Sequence, residues 1–141
     1  MKLNLEIITP EKVIYKDEVN EVICPTTKGQ IAVLPGHVGL VGQIAAGELI
    51  VKKEGKQYFM AITGGFLEVS SNNISILADY AIRSEDIEVA KVEEARKRAE
   101  RVMQEKVSEE DFAIAQGELR KSLLQLKIVQ RRRTHHTPPI K

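Results

Sequence analysis

Through about Arg83 the apolar residues fall at every second position or in short runs, and turn residues interrupt them. That period marks half-buried strands. "LNLEII" alternates and stops at Thr9-Pro10; "EVNEVIC" follows; "QIAVL" ends at Pro35-Gly36. "ELIVKK" and "QYFMAIT" flank Glu54-Gly55, which predicts a hairpin turn, and "GFLEV" and "ISILA" flank a second one at Ser70 to Asn73. Gly64-Gly65 marks a bulge or a close approach of backbones. Short strands without intervening helical patterns predict an antiparallel sandwich or barrel. Its inward face should hold Leu3, Leu5, Val22, Ile31, Val33, Leu49, Val51 and Phe66.

Beyond Arg83 the period changes. From Asp86 to Lys106 there is no glycine or proline, and Val92, Ala95, Ala99, Val102 and Met103 recur at helical spacing. Asp86 is the expected N-cap. "SEED" from Ser108 resembles a capping box, and Phe112, Ala115, Leu119, Leu123 and Leu126 form a second apolar stripe. The short connection predicts an antiparallel helical hairpin, each arm roughly 20 residues and 30 Å long. Pro138-Pro139 should stop any helix and leave a loose tail. The expected fold is therefore α+β: an N-terminal antiparallel β-sandwich over 1–84, then a C-terminal antiparallel two-helix hairpin over 85–141. The hairpin's Ala- and Val-rich stripe buries little area, so its docked state should be only marginally stable.

Composition narrows the functional classes. The 141 residues are 43% hydrophobic and 29% charged, which suits one ordinary domain or a small domain with an appendage. A net charge of +1 gives no bias toward nucleic acid or a membrane surface. The single cysteine, Cys24, excludes an intramolecular disulfide and a four-thiolate zinc site. The amino terminus lacks a signal-peptide core, and no segment approaches the roughly 18 apolar residues of a membrane span. A soluble protein of a reducing compartment is expected. Charge is sorted within the helical part: residues 84–118 hold eleven acids and six bases, whereas 119–141 hold seven bases and no acid. A basic helix end is ordinarily a solvated, dipole-favoured terminus; its functional reading is a plug for an acidic partner surface.

The run "GQIAVLPGHVGLVG" invites comparison with phosphate-binding loops, but it lacks the Lys-Ser/Thr of a P-loop and the spacing of a dinucleotide fingerprint. His37 has no serine, cysteine or paired carboxylate beside it in sequence, so a surface or interface role outweighs a catalytic one. His135-His136 do not by themselves make a metal site, and Cys24 reads as a small core residue. The chain reads as a non-enzyme without a metal.

Three segments then resemble one family, the epsilon subunit of F-type ATP synthases, counterpart of the mitochondrial delta subunit. They are "LEIITPEKVIYKDEVNEV", "GQIAVLPGHVGL" and "GGFLEVSSNNISILADYAIRSEDI", in the family's order and followed by the helices. Ala32, Gly39 and Ser75 depart from its usual glycine, proline and threonine. The resemblance implies a non-catalytic central-stalk subunit, peripheral to the membrane on its cytoplasmic or stromal face. It implies a sandwich set against the gamma subunit and the c-ring, and a hairpin that restrains ATP hydrolysis when extended. By position, Lys28, Gly29 and Gln30 face the c-ring and His37 lies near gamma. Lys121, Lys127, Arg131, Arg132 and Arg133 meet the beta subunit. Some members bind ATP on the folded hairpin; the matching positions here are Ile87, Glu88, Lys91, Arg98 and Lys121. Lys91 stands where an arginine is usual and Gln125 where another is, and lysine lacks the planar fork. The resemblance thus implies at best weak ATP binding and no resident cofactor. The alternative reading is an ATP-sensing helical hairpin on a β-sandwich.

Overall fold

A computed structural model describes the backbone of residues 2–136 and side chains through Arg131. The chain divides into two compact units, Met1–Arg83 and Ser84–Lys141.

The first unit contains β1 (Leu3–Ile8), β2 (Val13–Val19), β3 (Glu21–Thr26), β4 (Gly29–Val33), β5 (Leu40–Gln43), β6 (Gly47–Lys53), β7 (Lys56–Ser70) and β8 (Asn73–Arg83). The order is β2-β1-β8-β7-β6-β3-β4, and β5 also pairs with β7. Both expected hairpin turns form. Glu54-Gly55 and Ser71-Asn72 have positive φ, the primed geometry that matches strand twist. All pairings are antiparallel except β1 with β8, which is parallel. Periodicity carries no information about the relative direction of two remote strands. The expected strand "EVNEVIC" instead straddles β2 and β3, which break at Asn20. There the Asn20 N–H donates to the Lys52 carbonyl and its Oδ1 accepts from the Glu54 N–H, each at 2.8 Å. β2 buries only Val19, so its apolar pattern is faint in sequence.

The long hairpin β7–β8 serves both layers of the sandwich. Its Lys56–Ile62 segment pairs with β6, and Phe66–Val69 pairs with β5 on the same edge. Between these segments the inward parity flips. Ile62 and its partner Ala81 lie in the core, and so do Leu67 with Ile76 and Val69 with Ile74. Gly64 and Gly65, at φ +60° and +110°, make the corner without a register shift. The bulge alternative therefore does not hold, while the close approach does. A Cβ at Gly65 would stand 1.9 Å from the Leu77 carbonyl oxygen. The flip also corrects the expected core: Phe66 is 59% exposed, because alternation counted through the glycines comes out one residue off. The remaining expected core residues are buried or, for Ile31, packed against the core. Cys24 is fully buried there, and desolvation pushes its thiol pKa up to about 12.

In the second unit, Ser84–Asp86 form a 3₁₀ turn, followed by α1 (Val89–Gln104) and α2 (Glu109–His136). Asp86 is absorbed by the 3₁₀ turn and is not the N-cap; Glu88 takes that place without a side-chain cap bond. Ser108 does cap α2, its Oγ accepting from the Asp111 N–H at 3.1 Å. The arms are unequal, 16 and 28 residues. Extended backbone at Glu105 ends α1 early. α2 buries Ala115, Ser122, Gln125, Ile128 and Val129, whereas Phe112 and Leu123 of the expected stripe are 39% and 50% exposed. Apolar residues lie on several sides of α2, so periodicity alone could not choose its inner face. Pro138-Pro139 and the expected tail lie outside the described residues.

Candidate functional site

The outward face of the first unit carries an unexpected apolar row. In register across four neighbouring strands stand Val13, Ile8, Leu77 and Phe66. Val13, Leu77 and Phe66 are each more than half exposed, and Ile8 is partly buried. Val41, also exposed, follows one row further along, opposite Glu68. The neighbouring positions are polar: Glu6 and Lys16 form an ion pair at 3.8 Å, beside Ser75. An apolar row with a polar rim, on a face that alternation should make hydrophilic, is a candidate interaction surface. Full burial of one such side chain is worth about 1.5–3 kcal/mol. A signal existed in the sequence. With Ile74 and Ile76 inward, Leu77 falls on the outward side, an unusual place for leucine.

The residues singled out in sequence occupy turns at opposite ends of β4. Lys28, Gly29 and Gln30 are exposed at the β3–β4 turn. Thr26 organises it, its hydroxyl accepting from the Lys28 N–H at 3.2 Å and donating to the Gly29 carbonyl. Gly29 sits at φ +113°, a conformation open to glycine. His37 lies past the other end, half-buried, its N–H donating to the Leu34 carbonyl at 3.1 Å and its Nδ1 2.7 Å from the Val38 carbonyl. The loop is anchored by Asn72, whose Oδ1 accepts from the Gly36 N–H at 2.8 Å. Leu34 and Val38 project beside it, 50% and 76% exposed. The five residues of β4 hold the two turns apart.

On the second unit, Ile87 is buried, and Glu88 pairs with Lys91 at 3.1 Å. Arg98 lies seven residues beyond Lys91, roughly 10 Å further along the helix. It lines a groove of about 480 Å³ between α1 and α2. Lys121 is half-buried, Lys127 and Arg131 are exposed, and the Arg132 and Arg133 side chains lie outside the described residues. Arg96 is held by Glu93 and Glu100, each at 2.8 Å, and these hydrogen bonds raise its pKa. Among the described residues there is no group of three or more His, Cys, Asp or Glu placed to hold a metal ion, and no helix long and apolar enough to cross a membrane.

Residues 2–84 match the family described as the β-sandwich domain of the ATP synthase delta/epsilon chain, and residues 85–130 match its long α-helix domain. The chain is 38% identical over 135 residues to the ATP synthase epsilon chain of Dehalococcoides mccartyi, covering 95% of this chain and 96% of that one. It is 39% identical to the epsilon chain of Herpetosiphon aurantiacus, over 94% of this chain and 98% of the relative. Among solved structures, a chain of the Euglena gracilis mitochondrial ATP synthase shares the fold with a TM-score of 0.63 at 24% identity, over 96% of this chain and 82% of that one. Sandwich, hairpin and matched sequence agree over residues 2–130, and the chain belongs to the delta/epsilon chain family of ATP synthase.

Proposed function

We propose that this chain is a non-catalytic central-stalk subunit of a proton-translocating rotary ATP synthase, joining gamma to the c-ring and restraining ATP hydrolysis through its helical hairpin. The observation that supports this most is the exposed row Val13–Ile8–Leu77–Phe66, a surface suited to a permanent partner rather than to a substrate. Gamma takes that row together with the loop around His37. The polar turn Lys28–Gln30 meets the c-ring, and the basic end of α2, with Lys121, Lys127 and Arg131 to Arg133, meets the beta subunit. The complex holds the chain at the cytoplasmic or stromal face of its membrane.

The test replaces Phe66 and Leu77 together by aspartate. Both side chains point outward, so circular dichroism should be unchanged while binding to gamma weakens by at least about 100-fold, as expected for two anchor side chains of roughly 1.5 kcal/mol each. Undiminished binding by the folded double variant would refute the assignment of this face.

ATP sensing is the lesser reading. Lys91, at the position of the family's arginine, is paired with Glu88, and its ammonium offers a point charge in place of a bidentate fork. Isothermal titration of the full chain with ATP should give a dissociation constant weaker than about 1 mM. Micromolar affinity would restore the sensing reading.

A further inference from the structure

The groove at the tip of the hairpin is lined by both helices and the turn between them. Ala95 is partly exposed in it, the buried Ala99 and Ala115 close its floor, and Val102, Val107 and Ile114 complete an apolar lining. Ile114 is 59% exposed although it borders this lining. Around it stand one base, Arg98, and three acids, Glu105, Asp111 and Glu118. None of the three carboxylates has an ion-pair partner among the described residues. Asp111 and Glu118 are two turns apart on the same side of α2, roughly 10 Å along its axis. Glu105 caps the C-terminus of α1, where the helix dipole disfavours a carboxylate and favours a cation.

We infer that this groove is a docking site for a basic amphipathic helix, which lays apolar side chains on the alanine floor and cations along the acidic rim. Charge complementarity sets the sign of the partner: an acidic rim with one arginine repels nucleic acid and acidic peptides. The two-turn spacing of Asp111 and Glu118 matches cations at i and i+7 of the incoming helix. Because both arms line the groove, the partner binds only the closed hairpin and stabilises it by mass action. The inference concerns the isolated chain, so its outcome does not depend on the stalk assignment.

The experiment uses the full isotope-labelled chain and a four-turn helical peptide of leucine and lysine, with a leucine–glutamate peptide as control. The lysine peptide should shift the amide resonances of Ala95, Ala99, Val102, Ile114 and Ala115, bind more weakly as salt rises, and slow hydrogen exchange in α1. The triple variant E105Q/D111N/E118Q, which keeps side-chain size at exposed positions, should lose at least ~10-fold in affinity. Ala95→Leu, which fills the groove and leaves the rim charged, should abolish the shifts. Equal binding of the glutamate peptide, undiminished binding by the triple variant, or shifts confined to other surfaces would overturn the inference. Salt-sensitive dimerisation that excludes the peptide would assign the groove to a second copy and overturn it as well.

Discussion

Gly65→Ala is expected to destabilise the sandwich by about 3–5 kcal/mol, the sum of an overpacked site and a disfavoured backbone conformation. Its Cβ would meet the Leu77 carbonyl oxygen at 1.9 Å and the Ala78 Cα at 2.8 Å, both backbone atoms, at φ +110°. Neither neighbour can rotate away, because Ala78 is paired opposite Gly65 at the corner between the two layers. Against a typical domain stability of 5–15 kcal/mol this is a large fraction. The first unit should melt about 15–30 °C lower. Gly36→Ala is the internal control. Its φ is also positive, at +86°, but nothing lies within 4 Å of the added carbon, so only about 1 kcal/mol of conformational cost applies. Gly64→Ala should fall between them, since its nearest neighbour is the movable Asp79 carboxylate. Thermal melts of the three variants check the order; a Gly65→Ala transition within a few degrees of that of Gly36→Ala would contradict the corner geometry.

Ending the chain after Arg83 is expected to leave assembly intact and to raise ATP hydrolysis by the complex about five-fold, equivalent to roughly 1 kcal/mol of relieved restraint. The sandwich should survive the deletion, because its core cluster runs from Leu3 to Ala81. The apolar outer row and the turns at Lys28 and His37 also lie before the cut. The removed part contains the basic end of α2 that the proposal places against the beta subunit. ATPase assays on complexes reconstituted with full-length and shortened chains decide the matter. Equal hydrolysis rates with equal assembly would mean that the hairpin does not restrain the motor in this protein.

The candidate surfaces were only partly legible in sequence. The turns at Lys28–Gln30 and around His37 stand out because glycine and proline punctuate strands at those places. The apolar row did not, since Phe66 belongs to the core or the surface according to a parity that Gly64-Gly65 resets. Val13 lies on a strand whose charges at Lys16, Asp17 and Glu18 mask its alternation. The groove on the hairpin depends on which alanines of α1 meet α2, and α2 carries apolar residues on more than one side.

By itself the sequence determined the two-part architecture, the hairpin turns at Glu54-Gly55 and Ser71-Asn72, the Ser108 cap and the family. Each rests on local periodicity, turn chemistry or contiguous motifs. Only the tertiary structure decided the parallel pairing of β1 with β8, the corner that turns Phe66 outward, the inner face of α2 and the acidic groove. These depend on which remote segments become neighbours, and that selection is made by packing across the whole unit.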